Sequence, residues 1–361
     1  MYNLRTPGPT PCPDEVLQAM ARQMVNHLGP EFEQALHEVI SGLKKIFQTK
    51  NDILLFTCSG SGGLESAIVN MLSPGDKVLA VIIGFFGERF ASFAQAHGVN
   101  VIPLSFSWGR AADIDEIRKA LDNDPEIKAV FVTHNETSTG VTNNVKAISS
   151  LVKRYDKLLF VDAISSLGSI DLPVDYWHCD ITITASQKGW MVPPGMAMIS
   201  VSPEAWKAHA EARIPRAYFN FSYTKECMEK GHLPWTPAVP ILFALSTSLK
   251  MMLKEGLKNI IARHVQVGQA TRDGVKSLGL SLFADENYAS NTVTVAKAPQ
   301  NLDVKKLLKI LREEFDIVLA GGYQKLAESI FRIGHLGWVT TDDIKEVISA
   351  LRVVLPRATA P

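Results

Sequence analysis

Apolar runs of five or six residues recur through the first 200 positions, each bounded by polar or turn-forming residues. They are "ILLFT" (53–57), "VLAVII" (78–83), "VNVIP" (99–103), "AVFVT" (129–133), "LLFVD" (158–162), "ITITA" (181–185) and "AMISV" (197–201). Between them lie stretches with helical spacing of apolar residues, such as "SAIVNML" and "VKAISSLVKRY". Strands alternating with helices predict an α/β fold, with a mostly parallel central sheet and helices on both faces. One run differs: "ITITA" alternates apolar and hydroxyl side chains, as a half-buried strand does. A long apolar helix is predicted over 238–253. Past "LKEGLKNI" the alternation loosens into "NTVTVA", "LDVKKLLKILREEF", "DIVLA" and "DDIKEVISALRVVL", which reads as a smaller α+β domain beginning after Glu255.

Composition narrows the classes of function. The chain has 361 residues, 46% of them hydrophobic, enough for a sizeable core and two domains. Lys+Arg and Asp+Glu both number 37, which gives no electrostatic case for nucleic acid or an anionic membrane. Cys12, Cys58, Cys179 and Cys227 are scattered without metal or disulfide spacing, as in a protein of a reducing compartment. The N-terminus lacks a signal pattern and the C-terminal "ATAP" is not a peroxisomal address, so the expected location is the cytoplasm.

The candidate chemistry sits at strand ends, where open α/β sheets place it. "TCSGSGGLESAIVNML" (57–72) is a Ser/Gly turn running into a helix; it reads as a phosphate cup or as a plain helix cap. It is neither a P-loop, a dinucleotide fingerprint nor a nucleophile elbow. Asp162 follows four apolar residues, so its carboxylate needs a cationic or donor partner, and a protonated pyridine nitrogen is one candidate. Lys188 follows the "ITITA" strand in the turn "SQKGWMVPPGM", placed as a solvated loop lysine or as an amine nucleophile. A lysine for an imine, an acid for a ring nitrogen and a helix-end phosphate cup are what pyridoxal 5′-phosphate requires of a protein.

"TPGPTPCP", "GFFGERF", "THNETSTGV", "FVDAISSLG", "SQKGWMVPPGM", "TPAVP" and "FRIGHLG", in this order, resemble the class V aminotransferases of fold type I. The likeness is to the alanine–glyoxylate, serine–glyoxylate and serine–pyruvate branch. It implies Lys188 as the Schiff-base lysine and Asp162 as the pyridine partner. Ser59, Gly60 and Ser61 would cradle the phosphate, with Gln187 nearby, and Phe86 would stack on the cofactor ring unless it is a core residue beside Phe85. Thr137 would lie near the phenolic oxygen, and His134 in the same turn reads as structural. Arg332 would grip the substrate carboxylate, and Gly8 with Pro9 would belong to a loop closing over the substrate. Thr236 would reach the phosphate of a neighbouring subunit, which implies a homodimer; Leu233 stands where one relative uses a tyrosine for that contact.

The resemblance thus implies an N-terminal arm over 1–20, a cofactor domain over 21–255 and a small domain over 256–361. It implies ping-pong transamination between alanine or serine and glyoxylate or pyruvate. Small donors are expected because the matched motifs offer no second arginine for a side-chain carboxylate. Leu28 replaces the arginine of a His-Arg pair found in some relatives. Three alternatives stand beside this reading: a 2-aminoethylphosphonate aminotransferase, a cysteine desulfurase-like lyase, and a silent cofactor-binding regulator. No cysteine follows Cys227 and Gln187 precedes Lys188, which disfavours the lyase.

Overall fold

The computed structural model describes residues 2–359; Met1 of the arm and the last two residues of "ATAP" lie outside them. Seven strands form the central sheet in the order Asp52–Phe56, Ala197–Val201, Ile181–Ala185, Leu158–Asp162, Ile127–Thr133, Lys77–Ile82, Asn100–Ser105. All seven predicted runs are strands, three of them to the residue. The run ending at Pro103 continues to Ser105; it is the edge strand, where a missing N–H is tolerated. Ala197–Val201 alone runs antiparallel to its neighbours. The link from Ala185 to Ala197 carries no helix to make a crossover, so the chain doubles back and leaves Lys188 in the connecting loop.

Successive strand residues feed opposite layers. Ile53, Leu55, Leu79, Val81, Val130, Val132, Leu159 and Val161 join one core cluster with helix Pro30–Phe47. Leu54, Phe56, Val78, Phe131, Phe160 and Ile183 join the other, with helices Gly60–Met71 and Phe85–Ala96. Both faces are covered, which explains continuous apolar runs. It also corrects the reading of "ITITA" as half-buried: all five residues are buried, and Thr184 Oγ1 accepts from the indole N–H of Trp190 at 2.9 Å. At Thr184 the hydroxyl meets a packed indole instead of water.

Helix Val239–Glu255 ends at Gly256 (φ +84°), and helix Leu257–Ser277 begins the C-terminal part. There, strands Val293–Lys297, Ile330–Gly334 and Ala320–Gly321 form an antiparallel sheet packed with helices Val304–Phe315 and Thr341–Ala358. The N-terminal segment is tied to this part: Asn3–Leu4 pairs with Ile317–Val318, and Arg5 C=O accepts from Gly334 N–H at 2.7 Å. Among the described residues no helix is long and apolar enough to cross a membrane.

Candidate active site

The parallel strands and Asp52–Phe56 all point their C-terminal ends to one edge of the sheet. There a cavity of about 190 Å³ is lined by Ser59, Gly60, Ser61, Phe86, Thr137, Asp162, Gln187 and Lys188. The sequence-predicted cofactor residues therefore converge, with one exception. Thr236 is exposed and does not line this cavity.

Ser59 is the N-cap of helix Gly60–Met71 and its side chain makes no cap hydrogen bond. The first backbone closure of the helix is Gly63 N–H to Ser59 C=O, at 3.1 Å. The amides of Gly60, Ser61 and Gly62 are the helix's orphan donors, free for an anion. A Cβ on Gly60 would lie 2.6 Å from Ile164 Cδ1, so glycine lets the turn sit against the strand end.

Asp162 is 3% exposed and accepts one hydrogen bond, from Ile164 N–H at 3.0 Å. Burial pushes its pKa up to about 7, with the Glu136 charge adding; Ile164, Lys188 and Arg89 pull the other way. Such a carboxylate lacks a close cation, which a protonated ring nitrogen supplies. Lys188 shows the converse: burial, then the Arg332 charge, brings its amine down to about 8, against the pull of Asp162. An amine so placed is in part neutral near physiological pH and fit to act as nucleophile or base.

The N-terminal segment crosses this lysine. Lys188 Nζ donates to Pro7 C=O, Thr10 N–H donates to Gln187 C=O at 3.2 Å, and Thr10 Oγ1 donates to Lys188 C=O at 3.0 Å. Gly8 has φ +128°, and a Cβ there would stand 2.3 Å from Lys188 Nζ. Gly8 is thus a glycine because the lysine lies directly beneath it.

Arg332 is 5% exposed. Its Nε donates to Gly321 C=O at 2.7 Å and its Nη1 to Thr137 C=O at 3.2 Å, while the guanidinium lies 4.5 Å over the Tyr323 ring. Nη2 makes no hydrogen bond among the described residues. Burial lowers the Arg332 pKa from its ordinary value. His134 is buried behind the site, its pKa lowered to about 4 by burial, and it does not line the cavity.

Sequence reasoning missed Asn135, Ser165, Arg89 and Tyr323, which also line the cavity. Arg89 had a signal: it follows Phe86 by three residues on one helix, hence on the same face. The expectation that the matched motifs offer no second arginine is corrected here. Arg89 belongs to "GFFGERF" and lies 4.7 Å and 5.3 Å over the rings of Phe85 and Phe86. Tyr323 had none, since it arrives from the small sheet and stacks on Phe85 at 4.6 Å.

The family model described as aminotransferase class-V matches residues 2–344. The chain belongs to the class V aminotransferases. This aminotransferase is 42% identical, over 98% of its length and 92% of the relative's, to a soluble hydrogenase 42 kDa subunit of Anabaena cylindrica. It is 38% identical to an L-aspartate–glyoxylate aminotransferase of Paracoccus denitrificans (92% of this chain, 86% of the relative). It is 39% identical to a serine–glyoxylate aminotransferase of Methylorubrum extorquens (93% and 86%). Among solved structures, an alanine–glyoxylate aminotransferase from Nostoc sp. superposes with a TM-score of 0.95 at 29% identity, over 98% of this chain and 95% of that one. The fold class read from the sequence stands with these relatives.

The aminotransferase's own residues fit the family's pyridoxal phosphate. Among the described residues Gln187 Oε1 is buried with no hydrogen-bond partner, the Gly60–Gly62 amides are free for a phosphate, and Asp162 makes no salt bridge. Each is a polar group whose desolvation a bound cofactor offsets.

Proposed function

We propose that this aminotransferase holds pyridoxal 5′-phosphate at Lys188 and moves an amino group between a small amino acid, alanine or serine, and glyoxylate or pyruvate. The observation that carries the reading is the meeting of Lys188, Asp162 and the free helix amides in one cavity, with Arg332 beside it. When bound, the cofactor supplies a sink for the electrons left at Cα. Asp162 holds positive charge at the ring nitrogen, and Ser59, Gly60 and Ser61 hold the phosphate. Phe86 packs on the ring face, Thr137 lies near the phenolic oxygen, and Gln187 gives a polar contact. Arg332 binds the α-carboxylate, to which Nη2 is available. Lys188 would take the proton from the substrate's Cα and deliver it to C4′ of the cofactor. Gly8 and its neighbours exclude water above it. The same groups serve both half-reactions, so the kinetics are ping-pong. The arm (1–20), cofactor domain (21–255) and small domain (256–361) each supply part of this set.

We further read the active form as a homodimer, with Thr236 reaching the partner's phosphate. Its exposure outside this chain's cavity supports that, as does the exposed Trp235 beside it. An acidic donor is the second reading, favoured by Arg89 in the cavity and by the Paracoccus relative. A screen of alanine, serine, aspartate and glutamate against glyoxylate and pyruvate separates the two, with Arg332→Ala beside the wild type. We expect alanine or serine with glyoxylate to give the highest kcat/KM. Charge-assisted hydrogen bonds are worth about 1.5–3 kcal/mol each, so Arg332→Ala lowers kcat/KM by roughly tenfold to over a hundredfold for every α-amino acid. Cofactor absorbance stays. Aspartate or glutamate as best donor contradicts the small-donor reading, and an unaffected variant contradicts the role of Arg332.

A further inference from the structure

Glu136 is fully buried and makes no salt bridge among the described residues, although its charge interacts with that of Arg332. Its Oε2 accepts from the amides of Phe86 and Gly87 at 3.0 and 3.1 Å. Its Oε1 accepts from the Ser138 amide at 3.1 Å and the Ser138 hydroxyl at 2.6 Å. Ser138 Oγ in turn accepts from Phe85 N–H at 3.0 Å. Three successive orphan amides of helix Phe85–Ala96 are therefore satisfied from a separate turn, because Gly84 at the N-cap has no side chain to offer. A Cβ on Gly84 would lie 2.5 Å from Glu136 Cγ and from Ser138 Oγ, so glycine is the condition for this approach. Both carboxylate oxygens only accept, and they sit at the positive end of a helix. That contact set suits the ionised form, although burial pushes the pKa up. The next residue, Thr137, holds Arg332 through its C=O.

We propose that Glu136 is a positioning residue, which locks the first turn of helix Phe85–Ala96 and so fixes the Phe86 ring against the cofactor ring. It acts through Phe86 and touches no reacting atom. The inference rests on the cofactor reading above and adds to it the element that sets the aromatic plate.

The test is Glu136→Gln in a cycle with Phe86→Leu. A glutamine presents one oxygen, so its NH₂ must face either the helix amides or the Ser138 amide. In the cofactor-free protein the amides of residues 85–87 should exchange hydrogen at least about tenfold faster than in the wild type. Titration with pyridoxal 5′-phosphate should show Kd raised about ten- to a hundredfold in the wild-type background and less than about threefold in the Phe86→Leu background. Equal losses in both backgrounds, or unchanged exchange, overturn the proposal. If the glutamine variant does not fold, Ser138→Ala runs the same cycle while leaving both helix amides on Glu136, with a several-fold loss expected and additivity again overturning it. A wild type that binds no cofactor overturns the cofactor reading and this proposal with it. Tight wild-type binding with an additive cycle overturns the role of Glu136 alone.

Discussion

Replacing Asp162 with asparagine separates what this carboxylate costs the fold from what the cofactor gains by it. Burial moves its pKa from 3.8 to about 7 in the folded, cofactor-free chain. The folded value lies above the unfolded one, so the unfolded chain gives up its proton first. Relative stability is full below about pH 4 and is lost as pH rises through about 7, where the penalty reaches its plateau. At roughly 1.4 kcal/mol per pH unit the penalty comes to about 4 kcal/mol. That figure already nets the attraction to Lys188 and Arg89, so a gain of up to about 4 kcal/mol is expected in the variant at about pH 8. An amide oxygen can still accept from Ile164 N–H, now 3.0 Å away, which keeps the local turn. Urea unfolding of the cofactor-free proteins between about pH 5 and pH 8 reads the difference directly. Asp162→Asn should be the more stable protein at about pH 8, with the gap shrinking as pH falls. Adding pyridoxal 5′-phosphate should stabilise the wild type more than the variant, and the variant should keep the cofactor but lose most turnover. A gap that does not change with pH, or a cofactor-free wild type more stable than the variant at about pH 8, refutes the reasoning. Wild-type kcat in the variant leaves Asp162 as a mere turn-capping residue.

Two further substitutions probe the arm and the assembly. Gly8→Ala puts a methyl 2.3 Å from Lys188 Nζ at a φ of +128°, so the arm must lift or the lysine must swing away. We expect a loss of about tenfold or more in kcat, with an unfolding free energy lower by about 1–3 kcal/mol; unchanged kinetics would show that the arm does not bear on the lysine. For assembly, sedimentation at assay concentration should show a homodimer, and Thr236→Ala should weaken cofactor binding by about tenfold. A fully active monomer contradicts the shared site.

The strands were legible because burial on both faces leaves continuous apolar runs, and "ILLF" (53–56) and "LLFV" (158–161) carry that signature without interruption. "ITITA" misled because alternation reports the polarity of a face and not its exposure; nothing in the chain says that Trp190 folds back onto Thr184. Asp162 and Lys188 could be read since the first closes a strand and the second follows a strand end by three residues, where a charged group is either solvated or functional. Arg332 needed the family motif, for its partners Gly321 and Thr137 come from distant parts of the chain. Tyr323 and Glu136 were hidden for the same reason: the stack on Phe85 and the amides at 85–87 exist only after the small sheet and the 134–142 turn have docked on one helix end. Arg89 was in plain sight three residues after Phe86, and only the helical register of 85–96 turns it toward the cavity.

The most direct measurement of the central claim is borohydride reduction of the purified, cofactor-loaded protein followed by peptide mass mapping. The account predicts a yellow protein whose cofactor becomes fixed to the peptide containing Lys188, with Lys188→Ala failing to retain it. Attachment to any other lysine, or no fixed cofactor, contradicts the account.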